Sequence, residues 1–119
     1  PVFPIYCILL NLRLIKEEGL DSISKKNKIK SDLIYSEIDR NKCFSGFSDV
    51  SDRSQMNATF NLNEGFDGEI FNRICLKNNI SGLNGHRSVG GYRASIYNAL
   101  PLESLNILVD SMKEFELNQ

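Results

Sequence analysis

Apolar residues along the chain change their spacing several times, and each change marks an element. From Pro1 to Gly19, Ile5, Ile8, Leu9, Leu12 and Ile15 recur at the i, i+3, i+4, i+7 intervals of one helical face. Lys16, Glu17 and Glu18 are polar, and Gly19 stands where a left-handed C-terminal cap belongs. An amphipathic helix is predicted there. A second is predicted from Ser22 to Asn41, with Ile29, Leu33, Ile34 and Ile38 turned inward. Its basic run, Lys25, Lys26, Lys28 and Lys30, reads as a solvated face, because no aromatic residues are interleaved for nucleic-acid stacking.

Between Asn41 and Arg53, serines and aspartates surround Gly46, which predicts a loop or frayed hairpin, with Cys43-Phe44 opening a short strand. The period then drops to two. Met56, Ala58, Phe60 and Leu62 alternate with Asn57, Thr59 and Asn61, the pattern of a half-buried strand. Helical spacing returns over Glu64 to Asn79, where Ile70, Phe71, Ile74 and Cys75 share a face, Asp67 suits an N-cap and Asn78-Asn79 a stop. Cys75 on that face reads as a small buried hydrophobe. Short strands are predicted at Ile80–Leu83 and Tyr92–Asn98. Pro101 opens the first turn of a last helix, striped by Leu105, Leu108, Val109, Met112 and Phe115. The predicted class is α+β: a small, mostly antiparallel sheet covered by helices.

Composition narrows the function without naming it. The chain has 119 residues, 41% hydrophobic and 24% charged, and a formal charge of −1, so nothing pulls it globally toward nucleic acid or an anionic membrane. Three cysteines without a Cys-x-x-Cys pair argue against a disulfide framework or zinc site and fit a reducing compartment. The run Ile5–Leu10 is too short to span a bilayer. A cytoplasmic domain is the expectation.

Chemistry concentrates between Gly85 and Asn98, where Gly-His-Arg-Ser-Val-Gly-Gly-Tyr-Arg gathers the only histidine, two arginines and three glycines. Glycine allows positive φ and close main-chain approach, and each guanidinium can grip a carboxylate or phosphate through two parallel hydrogen bonds. Such a loop suits a small dianion, although Arg87 or Arg93 alone would read as ordinary surface residues.

The string from Gly85 to Leu105 resembles the C-terminal signature of phosphoserine aminotransferase, a family of class V pyridoxal-phosphate enzymes. Arg53-Ser54-Gln55-Met56-Asn57 matches a second family landmark, where R-S-x-M-N opens the central strand of the small domain. The resemblance implies the C-terminal domain of a fold-type I PLP-dependent transferase. In that reading residues 1–19 are a helix leading from an absent large cofactor-binding domain, and 20–119 are the small domain. It also implies transfer of an amino group between glutamate and 3-phosphohydroxypyruvate, in a cytoplasmic homodimer with small-molecule substrates. Arg93 matches the arginine that holds the substrate α-carboxylate. His86 and Arg87 match residues at the distal phosphate or the glutamate side-chain carboxylate. Pyridoxal 5'-phosphate belongs to the full-length enzyme, and no catalytic or cofactor-binding residue is expected within these 119. The Asn-Thr pair that precedes the first helix in the family is absent, and Asn84 replaces a common lysine. Three other readings are weighed against this one. They are a non-enzymatic α+β regulatory domain for a phosphorylated metabolite, an interaction module docking through Ile5–Ile15, and a class V aminotransferase for another acid.

Overall fold

The computed structural model describes residues 1–119. In chain order it contains α1 (Val2–Glu18), α2 (Leu20–Arg40), β1 (Phe44–Gly46), a short 3-10 turn (Val50–Asp52), β2 (Asn57–Leu62), α3 (Gly68–Lys77), β3 (Tyr92–Ser95) and α4 (Leu102–Leu117). The sheet is antiparallel in the order β1-β2-β3, so the strand with the cleanest alternation lies at its centre. Phe60 pairs with both Gly46 and Tyr92, and Thr59 with Arg93.

Alternation sorts the sheet into two unlike faces. Phe44, Ala58, Phe60 and Ala94 are buried against Ile34 and Ile38 of α2, Phe71 and Ile74 of α3, and the α4 stripe Leu105, Leu108, Val109, Met112 and Phe115. Aromatic rings meet edge-on through this core, with Phe44 and Phe71 centroids 5.0 Å apart and Phe71 and Tyr92 5.2 Å apart. Ser45, Asn57, Thr59, Asn61, Arg93 and Ser95 occupy the opposite face, and none of them is buried. Cys75 lies in the core as expected, where burial pushes its thiol up to about 11 and leaves it protonated at neutral pH.

Several expectations need correction. The first helix forms but is not amphipathic in place: no residue of α1 is buried, and Ile5, Ile8 and Leu12 are each more than half exposed. Val2, Phe3, Leu10 and Leu14 complete an apolar girdle around its axis, and α1 packs against α2 alone among the larger contacts of the fold. Gly19 has the expected positive φ of 85° but ψ of 139°, so it is a joint between two helices, not a left-handed cap. Its N–H still closes α1 on the Ile15 carbonyl, and its own carbonyl accepts the Ile23 N–H of α2.

Ile29 is exposed, whereas Lys30 from the supposedly solvated run is buried. The Lys30 ammonium donates to the carbonyls of Ile96, Tyr97 and Leu100 at 3.1, 2.6 and 3.2 Å. Three convergent carbonyls satisfy all three of its N–H groups, and burial lowers its pKa from the ordinary lysine value. The strand expected to reach Asn98 stops at Ser95, because its partner β2 begins at Asn57 and the chain then turns, with the Leu100 N–H on the Tyr97 carbonyl.

Ile80–Leu83 makes no strand. Asn79 and Gly82 adopt positive φ of 58° and 75°, which breaks the extended run, and only an Asn84–Tyr92 bridge and the Arg93 N–H on the Leu83 carbonyl survive. The α3 helix starts at Gly68, directly after the expected N-cap, where the Asp67 carboxylate accepts the Glu69 N–H at 2.9 Å.

Arg53 of the second landmark is structural. Its guanidinium donates twice to Asp39, at 2.6 Å each, and lies 4.6 Å from the Tyr35 ring centroid. Those bonds hold the Asp39 carboxyl below its ordinary value of 3.8. A carboxylate with a depressed folded pKa contributes its full stability above that ordinary value and loses it as the pH falls through the lower folded one. Asp39 is half exposed, so the effect is discounted for solvent. Arg53→Ala is expected to cost about 1–2 kcal/mol in denaturant melts at neutral pH. Asp39→Asn is expected to flatten the acid limb of the stability curve below about pH 4.

Candidate functional site

The Gly-rich loop folds because three of its glycines do different jobs. The Gly85 N–H donates to the Gly91 carbonyl at 2.9 Å, which closes the loop neck. Inside it, the N–H groups of Val89 and Gly90 both donate to the His86 carbonyl, at 2.9 and 2.8 Å, winding a single helical turn. Gly90 and Gly91 unwind that turn with φ of 76° and 65°. Gly85 has an ordinary φ but no room: a Cβ there would collide with the Gly90 carbonyl oxygen, with Gly91 O a further 3.1 Å neighbour. At Gly91 a Cβ would run into Asn61 Oδ1 and approach Phe60 O to 2.9 Å.

This folded loop stands at the edge of the polar sheet face. Between them runs a shallow cleft of about 220 Å³, bordered by His86, Val89 and Gly90 from the loop, Thr59 and Asn61 from β2, and Arg93 from β3. Tyr92, Phe60 and Phe47 form its apolar side. Burial pushes the Tyr92 phenol up, so its hydroxyl stays protonated, and it donates to Asn72 Oδ1 at 3.4 Å.

His86 and Arg93 therefore come together at one cleft. Arg87 lies on the adjacent turn, exposed and outside the cleft lining. Neither Arg87 nor Arg93 has a carboxylate within ion-pair distance, in contrast to Arg40 and Arg53. No acidic residue stands between Glu69 and Glu103, so nothing along this part of the chain neutralises the two guanidinium groups. That gap in the acids was legible in the sequence as a second signal of an anion site. Arg93 also borders a larger groove of about 450 Å³, running between the Asn78–Leu83 connection and the start of α4. Ser88, Thr59 and Asn61 are site neighbours that periodicity could not reveal, since they depend on where the loop lands on the sheet.

Lys30 is the one buried lysine, and its three donors are committed to carbonyls. What the arrangement can do is bind an anion: an uncommitted fork and an imidazole face one opening.

No protein-family model matches the chain. Curated relatives do. The phosphoserine aminotransferase of Flavobacterium psychrophilum is 56% identical over 117 residues, covering 98% of this chain and 33% of the relative. That of Flavobacterium johnsoniae is 53% identical, covering 97% of this chain and 33% of the relative. Among solved structures, phosphoserine aminotransferase from Bacillus circulans subsp. alkalophilus superposes with a TM-score of 0.88 at 41% identity, covering 99% of this chain and 33% of that one. The PLP-bound phosphoserine aminotransferase of Trichomonas vaginalis gives 0.85 at 37% identity, over 95% of this chain and 33% of its own. The chain thus spans about a third of the length of the proteins it matches. No helix in it is long and apolar enough to cross a membrane. In sequence and in fold it is a homologue, over nearly its whole length, of one third of phosphoserine aminotransferase.

Proposed function

We propose that these 119 residues are the C-terminal, substrate-facing part of a cytoplasmic phosphoserine aminotransferase that works as a homodimer. The whole enzyme would exchange an amino group between glutamate and 3-phosphohydroxypyruvate. Residues 1–19 would lead from the large domain, and 20–119 would form the small domain. Pyridoxal phosphate, when bound to the whole enzyme, supplies the electron sink for bond breaking at the substrate Cα. This chain supplies position.

Arg93 would clasp the α-carboxylate that both substrates share, fixing the Cα–H bond in space. His86 and Arg87 would take the far end, phosphate in one substrate and side-chain carboxylate in the other. The observation that carries the reading is the cleft at which a carboxylate-free Arg93 and His86 meet on the polar sheet face. The exposed apolar girdle of α1 supports it as well, since a helix apolar all round is ordinarily buried. A self-sufficient metabolite sensor is not favoured, because the relatives are enzymes three times as long.

Titrating the chain with pyridoxal phosphate tests the division of labour. The expected result is no saturable one-to-one uptake by absorbance, with only diffuse, weak modification of exposed lysines. Stoichiometric capture at a single lysine, located by mass spectrometry after reduction, would overturn it.

A further inference from the structure

His86 makes its contacts within its own turn. Its Nδ1 lies 2.7 Å from Ser88 Oγ and 3.3 Å from the Ser88 backbone nitrogen. A backbone N–H can only donate, so Nδ1 must present its lone pair there. Were Nδ1 protonated in the neutral ring, two N–H groups would point at each other across that 3.3 Å. The remaining proton therefore sits on Nε2, which has no hydrogen-bond partner within the chain, on a residue that borders the cleft.

We propose that Ser88 is a positioning residue: through Nδ1 it holds His86 in the tautomer and rotamer that present an Nε2–H donor to the cleft. This rests on the reading of His86 as a ligand for the distal anion, and it adds a selection rule. An Nε2–H can donate but not accept, so the group opposite it must be an acceptor, such as a phosphate or carboxylate oxygen, and not a hydroxyl that needs to donate. The neutral ring performs this task, so the imidazolium is not required. The turn that presents Ser88 is closed by the two bonds to the His86 carbonyl, which fixes the hydroxyl beside the ring before any ligand arrives.

The chain contains one histidine, so the ring nitrogens of a 15N-labelled sample give a single, assigned pair of signals. Long-range 15N–1H correlation on the neutral ring is expected to show Nε2 protonated and Nδ1 as a hydrogen-bonded acceptor. In Ser88→Ala the Nδ1 signal is expected to move toward that of a free ring and the proton to spread over both nitrogens. Ser88→Thr is expected to restore the wild-type pattern. Backbone amides of Ala58, Phe60 and Ala94 report that the sheet is intact in each variant. In the complete enzyme, Ser88→Ala is expected to raise KM for the phosphorylated substrate roughly three- to tenfold, the loss of one hydrogen bond's worth of orientation. In a His86→Ala background the same change is expected to do nothing. A Ser88→Ala ring spectrum identical to wild type, or a wild-type ring protonated on Nδ1, overturns the proposal. If the spectrum changes but neither Ser88→Ala nor His86→Ala moves KM, the reading of His86 as the anion ligand fails instead.

Discussion

Replacing Arg93 by alanine in the complete aminotransferase is expected to lower kcat/KM by about two powers of ten or more, for both amino donor and acceptor. The side chain leaves β3 on the polar face opposite Thr59, and no carboxylate of this chain competes for it. A bidentate guanidinium–carboxylate pair in a cleft is worth roughly 2–5 kcal/mol when one partner is removed, and each 1.36 kcal/mol is tenfold in rate. Arg93→Lys keeps the charge but loses the fork, so about a tenfold deficit is expected to remain. The pattern across substrates separates the roles. An α-carboxylate ligand penalises glutamate and the phosphorylated acid alike, whereas Arg87→Ala is expected to penalise the phosphorylated acid more. Steady-state kinetics with both substrates decide this. A kcat/KM within threefold of wild type in Arg93→Ala would remove Arg93 from the site.

The second large effect is steric. Gly85→Ala is expected to abolish most of the activity of the complete enzyme, while Gly90→Ala is expected to cost far less. Both change a hydrogen for a methyl group in the same loop. At Gly85 the new methyl would occupy the space of the Gly90 carbonyl oxygen, so the neck closed by the Gly85 N–H on the Gly91 carbonyl must open. With the neck open, His86 no longer faces Arg93 across the cleft. At Gly90 the space is empty, and only the positive φ of 76° opposes a side chain, at a cost of about 1–2 kcal/mol. Because the loop lies outside the aromatic core, thermal melting of Gly85→Ala is expected to shift little while activity falls, and circular dichroism with kinetics on the same samples separates the two.

How much of this could be read along the chain differs from element to element. The alternation Ala58, Thr59, Phe60, Asn61 placed β2 and told which face is buried, because a period of two follows from backbone pleating wherever the strand lies. The α4 stripe placed every one of its five core contacts for the same reason at a period of 3.6. His86, Gly90 and Arg93 of the cleft stood out too, since glycines, histidine and arginines crowd one short string that resembles a known signature. Burial of individual residues was not. Lys30 sits in a basic run with Lys25, Lys26 and Lys28, and only the arrival of three carbonyls from residues 96–100 distinguishes it from them.

The chain by itself therefore determined most of the element types and the inward faces of β2 and α4, and it singled out His86, Arg87 and Arg93 as candidates for an anion, because these depend on local periodicity and on functional groups. Tertiary structure alone decided the rest. It set where β3 ends, why Gly85 tolerates no methyl group, and that α1 shows its apolar surface on every side. Each of those depends on an atom brought near from elsewhere in the fold, or on its absence, and spacing along one segment holds no record of its distant neighbours.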